Sequence, residues 1–178
     1  MENYHAASAF TVIYEEQNNI LSGLTDAQKK DIRETAVQMV MATDMAQHFD
    51  LLGKFKSKLA GNGFDPKDRK DRLMMMQIAI KCADISNPCR PPALCNIWAN
   101  RVMEEFYRQG DEERKHSMSV SAFMDRTKPA EAKCQIGFID FIVGPLFEVW
   151  ANFLPDMTKT LEYLEQNRLH WKNKYVQF

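Results

Sequence analysis

Asp84 is the residue whose setting asks most plainly for chemistry. It lies in Ile80-Lys81-Cys82-Ala83-Asp84-Ile85-Ser86-Asn87-Pro88-Cys89-Arg90-Pro91-Pro92, where a helical apolar face runs into prolines. At about 100° per residue, Ile80 and Asp84 fall within about 20° of Leu73, so the carboxylate shares the face expected to be buried. Burying a carboxylate is costly unless a metal ion, a cationic side chain or a backbone cap meets it. The plainer reading is an aspartate near a helix end, solvated or paired, with no metal. Gln135 is a second candidate, because it begins the strongest apolar stripe, with Phe138, Ile139, Ile142, Val143, Leu146 and Trp150 following at helical spacing. A primary amide on such a face needs hydrogen-bond partners, whereas at an exposed helix start water would serve. His48 follows Asp44 by one helical turn, a spacing that makes a weak metal motif and more commonly a surface contact.

These side chains must be positioned by helices. Seven Gly, seven Pro and the absence of strand-like alternation make the chain read as all-α. A first helix is expected over residues 2–21. Thr25-Asp26-Ala27-Gln28 is a capping box opening a helix to about residue 48, with Ile32, Ala36, Met39, Val40 and Thr43 inside. A piece over 49–59 closes at Gly61-Asn62-Gly63. Asp65-Pro66 then restarts the chain with proline in a first turn, and Met74, Met75 and Met76 read as core filling. Pro88, Pro91 and Pro92 force an elbow before a helix over 93–109, whose line Leu94, Trp98, Val102 and Phe106 reads mainly as core. Asp111 to Lys115 is a solvated charged face. An irregular loop of lid-like length spans 117–129, a long helix 130–153 and an amphipathic helix 156–174. There is no internal repeat or domain boundary.

Composition narrows the function classes. With 178 residues, 45% hydrophobic and 11% aromatic, the chain can bury a real core. A net charge of -1 supplies no global field for nucleic acid or anionic membrane. Cys82, Cys89, Cys95 and Cys134 form no CxxC pair, which argues against a structural zinc site or a disulfide framework. No apolar run approaches the roughly 20 residues of a membrane span, and MENYHAASAF lacks a signal pattern. A cytoplasmic protein is expected.

The strings KCADISNP, MEEFYRQGDEE and CQIGFIDFIVGPL, in that order and spacing, resemble the C-terminal half of the catalytic domain of class I 3′,5′-cyclic nucleotide phosphodiesterases, closest in motif to the cAMP-selective members. The similarity runs from Glu2 to about Trp171. The resemblance implies an all-α catalytic-domain fold and hydrolysis of a cyclic nucleotide, cAMP favoured over cGMP, to the 5′-monophosphate in signal transduction. It implies divalent metals, zinc with magnesium or manganese, in a two-metal site. Asp84 matches a metal-ligand aspartate. Gln135 and Phe138 match the glutamine that reads the purine edge and the phenylalanine that stacks on it, with Val102, Met103 and Phe106 lining the same pocket. Asn87 matches a position that contacts the base, Thr43 and Met45 belong to a block near the pocket rim, and Glu2 and His5 match positions behind the metals.

The same resemblance exposes a gap. The family's two histidine ligands, bridging aspartate and proton-donating histidine lie upstream of the ENYH block, and His5, His48, His116 and His170 stand in no matching context. With Asp84 alone a metal has too few ligands for a tight site. The chain therefore reads, over 1–178, as a partial catalytic domain that supplies the base pocket and one metal ligand. The alternative is a non-catalytic purine-binding or phosphodiesterase-pairing helical module. Missing upstream helices would leave the Val40, Met76 and Ile80 faces open and favour association into a homo-oligomer.

Overall fold

Helix continues wherever the 3.6-residue period does, and stops where side chains or prolines offer the backbone another arrangement. In a computed structural model describing residues 1–176, no strand occurs among the described residues. The chain divides into two compact units, Met1–Asp84 and the part from Ile85 onward.

In the first unit α1 is Glu2–Ile13, shorter than expected. Beyond it the Glu15 carboxylate accepts from Gln17 and Asn18, and Asn19 Oδ1 accepts from the Leu21 N–H. These local bonds replace the helical ladder. Helix α2, Asp26–Met41, opens on the expected capping box, with Thr25 Oγ1 accepting from the Gln28 N–H and Gln28 Oε1 from the Thr25 N–H. It ends seven residues early, because the Thr43 hydroxyl bonds back to the Val40 carbonyl and Asp44 caps the Ala46 N–H. A 3-10 turn, Met45–Gln47, leads into α3, His48–Ala60, which closes at Gly63 in the left-handed region, φ 71°. Helix α4 is Arg69–Asp84; Pro66 lies ahead of it in a turn rather than in its first turn. Buried Asp71 ties its start to α3 by accepting from the Asp65 N–H and pairing with Lys58 at 3.0 Å.

Helix α2 packs on α1 and α4, and α3 on α4. The expected inner face of α2 is only half covered: Ile32 is exposed, Ala36, Met39, Val40 and Thr43 are half-buried, and no α2 residue is fully buried. Met74, Met75 and Met76 are likewise half-buried rather than core. Ile32, Ala36 and Met39 with Leu73 and Met76 line an open groove of about 340 Å³.

In the second unit a 3-10 turn, Asn87–Cys89, precedes α5, Pro92–Lys115, which runs past the expected end through the charged segment. Helix α6, Glu131–Phe138, continues through a π turn, Ile139–Val143, into α7, Gly144–Phe153. Pro145 has no N–H for the α ladder, and the wider turn takes up the mismatch. A Cβ on Gly144 would stand 3.0 Å from the Ile139 carbonyl oxygen, a tight approach that glycine avoids. The run Glu131–Phe153 is long and apolar enough to cross a membrane by length and composition, which corrects the expectation that no such run exists. Its Ile139, Val143, Leu146, Phe147 and Trp150 are buried within the protein, its Phe141 is exposed, and its Asp140 pairs with Arg168.

Helix α8, Thr158–Val176, organises this unit by packing on α5, α6, α7 and the 87–89 turn. Its buried line is Leu164, Asn167 and Trp171. The Asn167 amide donates to the carbonyls of Pro88 and Arg90, both at 2.8 Å. Between α5 and α6 the chain has no regular structure, as expected, but the segment is laid against α5. Arg126 reaches Asp111 at 2.7 Å and Glu104 at 3.3 Å, Arg114 reaches Asp125 at 2.8 Å, and Glu113 accepts from the Ser121 N–H and hydroxyl. The approach is so close that a Cβ on Gly110 would lie 1.9 Å from the Met124 carbonyl oxygen. Helix α5 ends in a Schellman arrangement: Met118 N–H donates to Glu113 O, Ser117 N–H donates to Arg114 O, and Ser117 has φ 57°.

Two stability outcomes follow. Asn167→Ala leaves two carbonyls without their donor and should cost about 2–4 kcal/mol, read as a lowered urea midpoint. Ser117→Gly relieves a left-handed non-glycine residue and should raise stability by about 1 kcal/mol in the same measurement.

Candidate functional site

Helix α4 does not bury the face on which Asp84 lies. Asp84 is exposed and Leu73 and Ile80 are half-buried, while Asp71, Ile78, Lys81 and Cys82 form the buried line. The expectation of a buried carboxylate is thus corrected: the chain at the end of α2 closes over Lys81, whose ammonium reaches the Ala42 carbonyl, while Asp84 stays exposed. The charge that is buried is the Lys81 ammonium, 0% exposed, which donates to the carbonyls of Ala42 at 3.2 Å and Asp44 at 3.5 Å. Burial pushes its pKa down, while the carboxylates of Asp84, Asp44 and Glu2 pull it back up. Three acids singled out from sequence or lying in its motif blocks therefore share one cationic neighbour.

His48 is fully buried rather than a surface partner of Asp44, and neither ring nitrogen has a hydrogen-bond partner among the described residues. Burial, and then the Lys81 charge, push its pKa down, so the ring is neutral at pH 7. Glu2 is half-buried and pairs with the Met1 ammonium at 3.2 Å, whereas His5 is exposed beside the Tyr4 ring. Thr43 is half-buried, bonded back to its helix, and Met45 is exposed. Among the described residues no group of three or more His, Cys, Asp and Glu could hold a metal ion. Asp84 stands as a single candidate ligand, and the residues present do not make a metal site by themselves.

The second unit carries the base-pocket candidates. Gln135 is 7% exposed, yet its amide has no hydrogen-bond partner among the described residues. One turn on, Phe138 is half-buried. Helix α5 contributes half-buried Val102 and Phe106 and buried Met103, and the 87–89 turn contributes half-buried Asn87. Helix α5 packs against both α6 and that turn, so the three elements bearing these residues are neighbours. The α5 stripe read as core is corrected: Leu94 and Trp98 are exposed, and the buried line is Cys95, Ala99 and Met103. Trp98 instead carries the Arg101 guanidinium over its ring. Apolar side chains and two amides carried on neighbouring elements are the residue types that suit a flat heteroaromatic ligand whose rim carries donors and acceptors. Burial pushes the Cys82 thiol up to about 12 and raises Cys95 and Cys134 as well, which makes these three poor nucleophiles.

Sequence reasoning gave no role to Lys81 or Asn167. Lys81 stood one turn before Asp84, and that spacing was the available signal. Asn167 was one polar residue among many on an amphipathic helix, and nothing local distinguished it.

The sequence profile of the 3′5′-cyclic nucleotide phosphodiesterases matches residues 1–164. The chain is 39% identical over 172 residues to the 3′,5′-cyclic-nucleotide phosphodiesterase regA of Dictyostelium discoideum, covering 97% of this chain and 22% of that protein. It is 36% identical over 181 residues to the 3′,5′-cyclic-AMP phosphodiesterase 4C of Rattus norvegicus, covering 98% of this chain and 34% of that protein. A solved structure of LmjPDEB1 in complex with IBMX matches at TM-score 0.92 and 32% identity, over 99% of this chain and 53% of that one. The multi-helix fold expected from the motifs is therefore the observed one.

His48 makes stability depend on pH. The unfolded residue takes up a proton near its ordinary value of 6.5, and the folded residue does so only at lower pH. Between those values the unfolded state binds more protons, so stability is full above about pH 6.5 and falls as pH drops through the window. His48→Leu should flatten the fall in urea midpoint between about pH 7.5 and about pH 5.5; an equally steep fall in the variant would remove His48 as the cause.

Proposed function

The chain belongs to the 3′5′-cyclic nucleotide phosphodiesterase family, and on that premise we propose that it forms part of an enzyme hydrolysing the 3′,5′-phosphodiester of a cyclic nucleotide to the 5′-monophosphate. This chain supplies the purine pocket and one metal ligand, Asp84. The observation that carries the reading is Gln135, a residue 7% exposed whose amide has no hydrogen-bond partner among the described residues, one helical turn from Phe138. In the proposed complex the purine lies between Phe138 and Val102, with Met103 and Phe106 behind it, and Gln135 bonds to its edge. No hydrogen bond from the described residues orients the Gln135 amide, so it can turn to suit either purine. Discrimination then falls to Asn87, whose carbonyl accepts from the adenine amine and whose NH₂ donates to a ring nitrogen. That arrangement favours cAMP over cGMP.

In this reading divalent metals, zinc with magnesium or manganese, supply the activation of water and the stabilisation of phosphoryl charge. Asp84 would be one ligand, and the others would come from outside the described residues. The same lack of a ligand cluster favours a second reading, a purine-binding module without turnover of its own. In that reading the half-covered α2 and α4 faces would pair with another phosphodiesterase chain or a second copy.

The test is calorimetric titration of the purified chain with cAMP and cGMP, beside hydrolysis assays with added zinc and magnesium. Gln135→Leu should weaken cAMP binding by about tenfold or more, as expected when the purine's edge groups are desolvated without their amide partner. Unchanged affinity in that variant would sink the pocket assignment. Turnover abolished by Asp84→Ala would establish the hydrolytic reading, and binding without turnover the module.

A further inference from the structure

Ser117 is unusual in three independent respects. It occupies the left-handed position after α5, φ 57°, where glycine is the stable choice. Its exposed hydroxyl has no hydrogen-bond partner among the described residues, so the strained serine gains nothing from its side chain. It is also preceded by two exposed cations, Arg114 three residues back and Lys115 two back, and followed by Met118, 62% exposed. Its neighbours lack this combination. Ser121 donates its hydroxyl to Glu113 at 2.7 Å, and neither Ser119 nor Ser121 has Arg or Lys at those two offsets.

We propose that Ser117 is a phosphorylation site for a serine/threonine kinase with an acidic substrate cleft, and that phosphate there unfastens the 117–130 segment from α5. Charge pattern around the acceptor is what such a cleft reads, and Lys115 is free to enter it, its one ion-pair partner among the described residues being exposed Glu112. In the transfer the Ser117 Oγ forms a bond to the γ-phosphorus of a nucleoside triphosphate as the β–γ phosphoanhydride bond breaks. The hydroxyl proton passes to the kinase's base, and the nucleoside diphosphate leaves. The product places a phosphate of nearly two negative charges at the C-terminal end of α5, where the last carbonyls, Glu112 and Glu113 repel it. Arg114, three residues back, is a cation within the same turn, now engaged with Asp111 and Asp125. Drawing Arg114 to the phosphate releases Asp125, which also holds Thr127. The loosened segment joins α5 to α6.

The experiment incubates the full chain with the catalytic subunit of cAMP-dependent protein kinase and MgATP, and maps phosphate by tandem mass spectrometry. One phosphate at Ser117 is expected, with none in Ser117→Gly, a variant that removes the hydroxyl while easing the backbone. Lys115→Gln, which touches no contact of the loop, should slow incorporation by about tenfold. Amides within 121–127 should exchange hydrogen faster in the phosphorylated chain than in the unmodified one. No incorporation, phosphate at Ser119 or Ser121 instead, an unaltered rate in Lys115→Gln, or unchanged exchange after phosphorylation would each overturn the proposal.

Discussion

The second unit depends on satisfying the backbone where α4 has ended and α5 has not begun. Pro88, Pro91 and Pro92 break the helical ladder there, and none of them can donate a hydrogen bond. The freed carbonyls of Pro88 and Arg90 would be costly to bury without donors. One side chain supplies both, the fully buried amide of Asn167. Because α8 also packs on α5, α6 and α7, the same contact that satisfies the elbow holds the frame in which Asn87, Val102 and Gln135 are presented. A polar group at the centre of this unit therefore specifies its arrangement as well as stabilising it.

The first unit is built around the opposite problem, a buried charge. Lys81 is closed off from solvent, and the two carbonyls at the end of α2 are its hydrogen-bond acceptors. That contact fixes the turn carrying Thr43, Asp44 and Met45 against the helix that ends in Asp84. His48, sealed without a partner beside this charge, is held neutral by the same burial. The carboxylates of Asp84, Asp44 and Glu2 favour the charged form of this ammonium, and among the described residues no group of three or more His, Cys, Asp and Glu forms a cation site.

Loop mobility is also decided by contacts rather than by length. The segment after α5 has the length of a lid, yet Arg114 and Arg126 fasten it to acids, and Gly110 lets its backbone lie against the helix. Exposed ion pairs of this kind are individually weak and exchange readily. The attachment therefore responds to added charge, whereas an apolar contact would not.

Local rules were legible in the sequence. The Thr25 capping box, the proline elbow, the Gly63 stop and the all-helical character each depend on a few neighbouring residues, and each is present in the fold. The motif strings likewise identified the family, and the positions of Gln135 and Phe138 on one face of α6 were readable from spacing. Tertiary structure alone decided which helical faces are covered. Periodicity defined an apolar stripe on α4 and another on α5, but the packing partners buried Lys81 in place of Asp84 and Cys95 in place of Trp98. It also decided that a single asparagine would satisfy an elbow 79 and 77 residues away. The physical reason is one of range: capping, turn chemistry and helical period act within a turn or two of chain. Burial is set by elements distant in sequence, and no local pattern encodes which of them arrives.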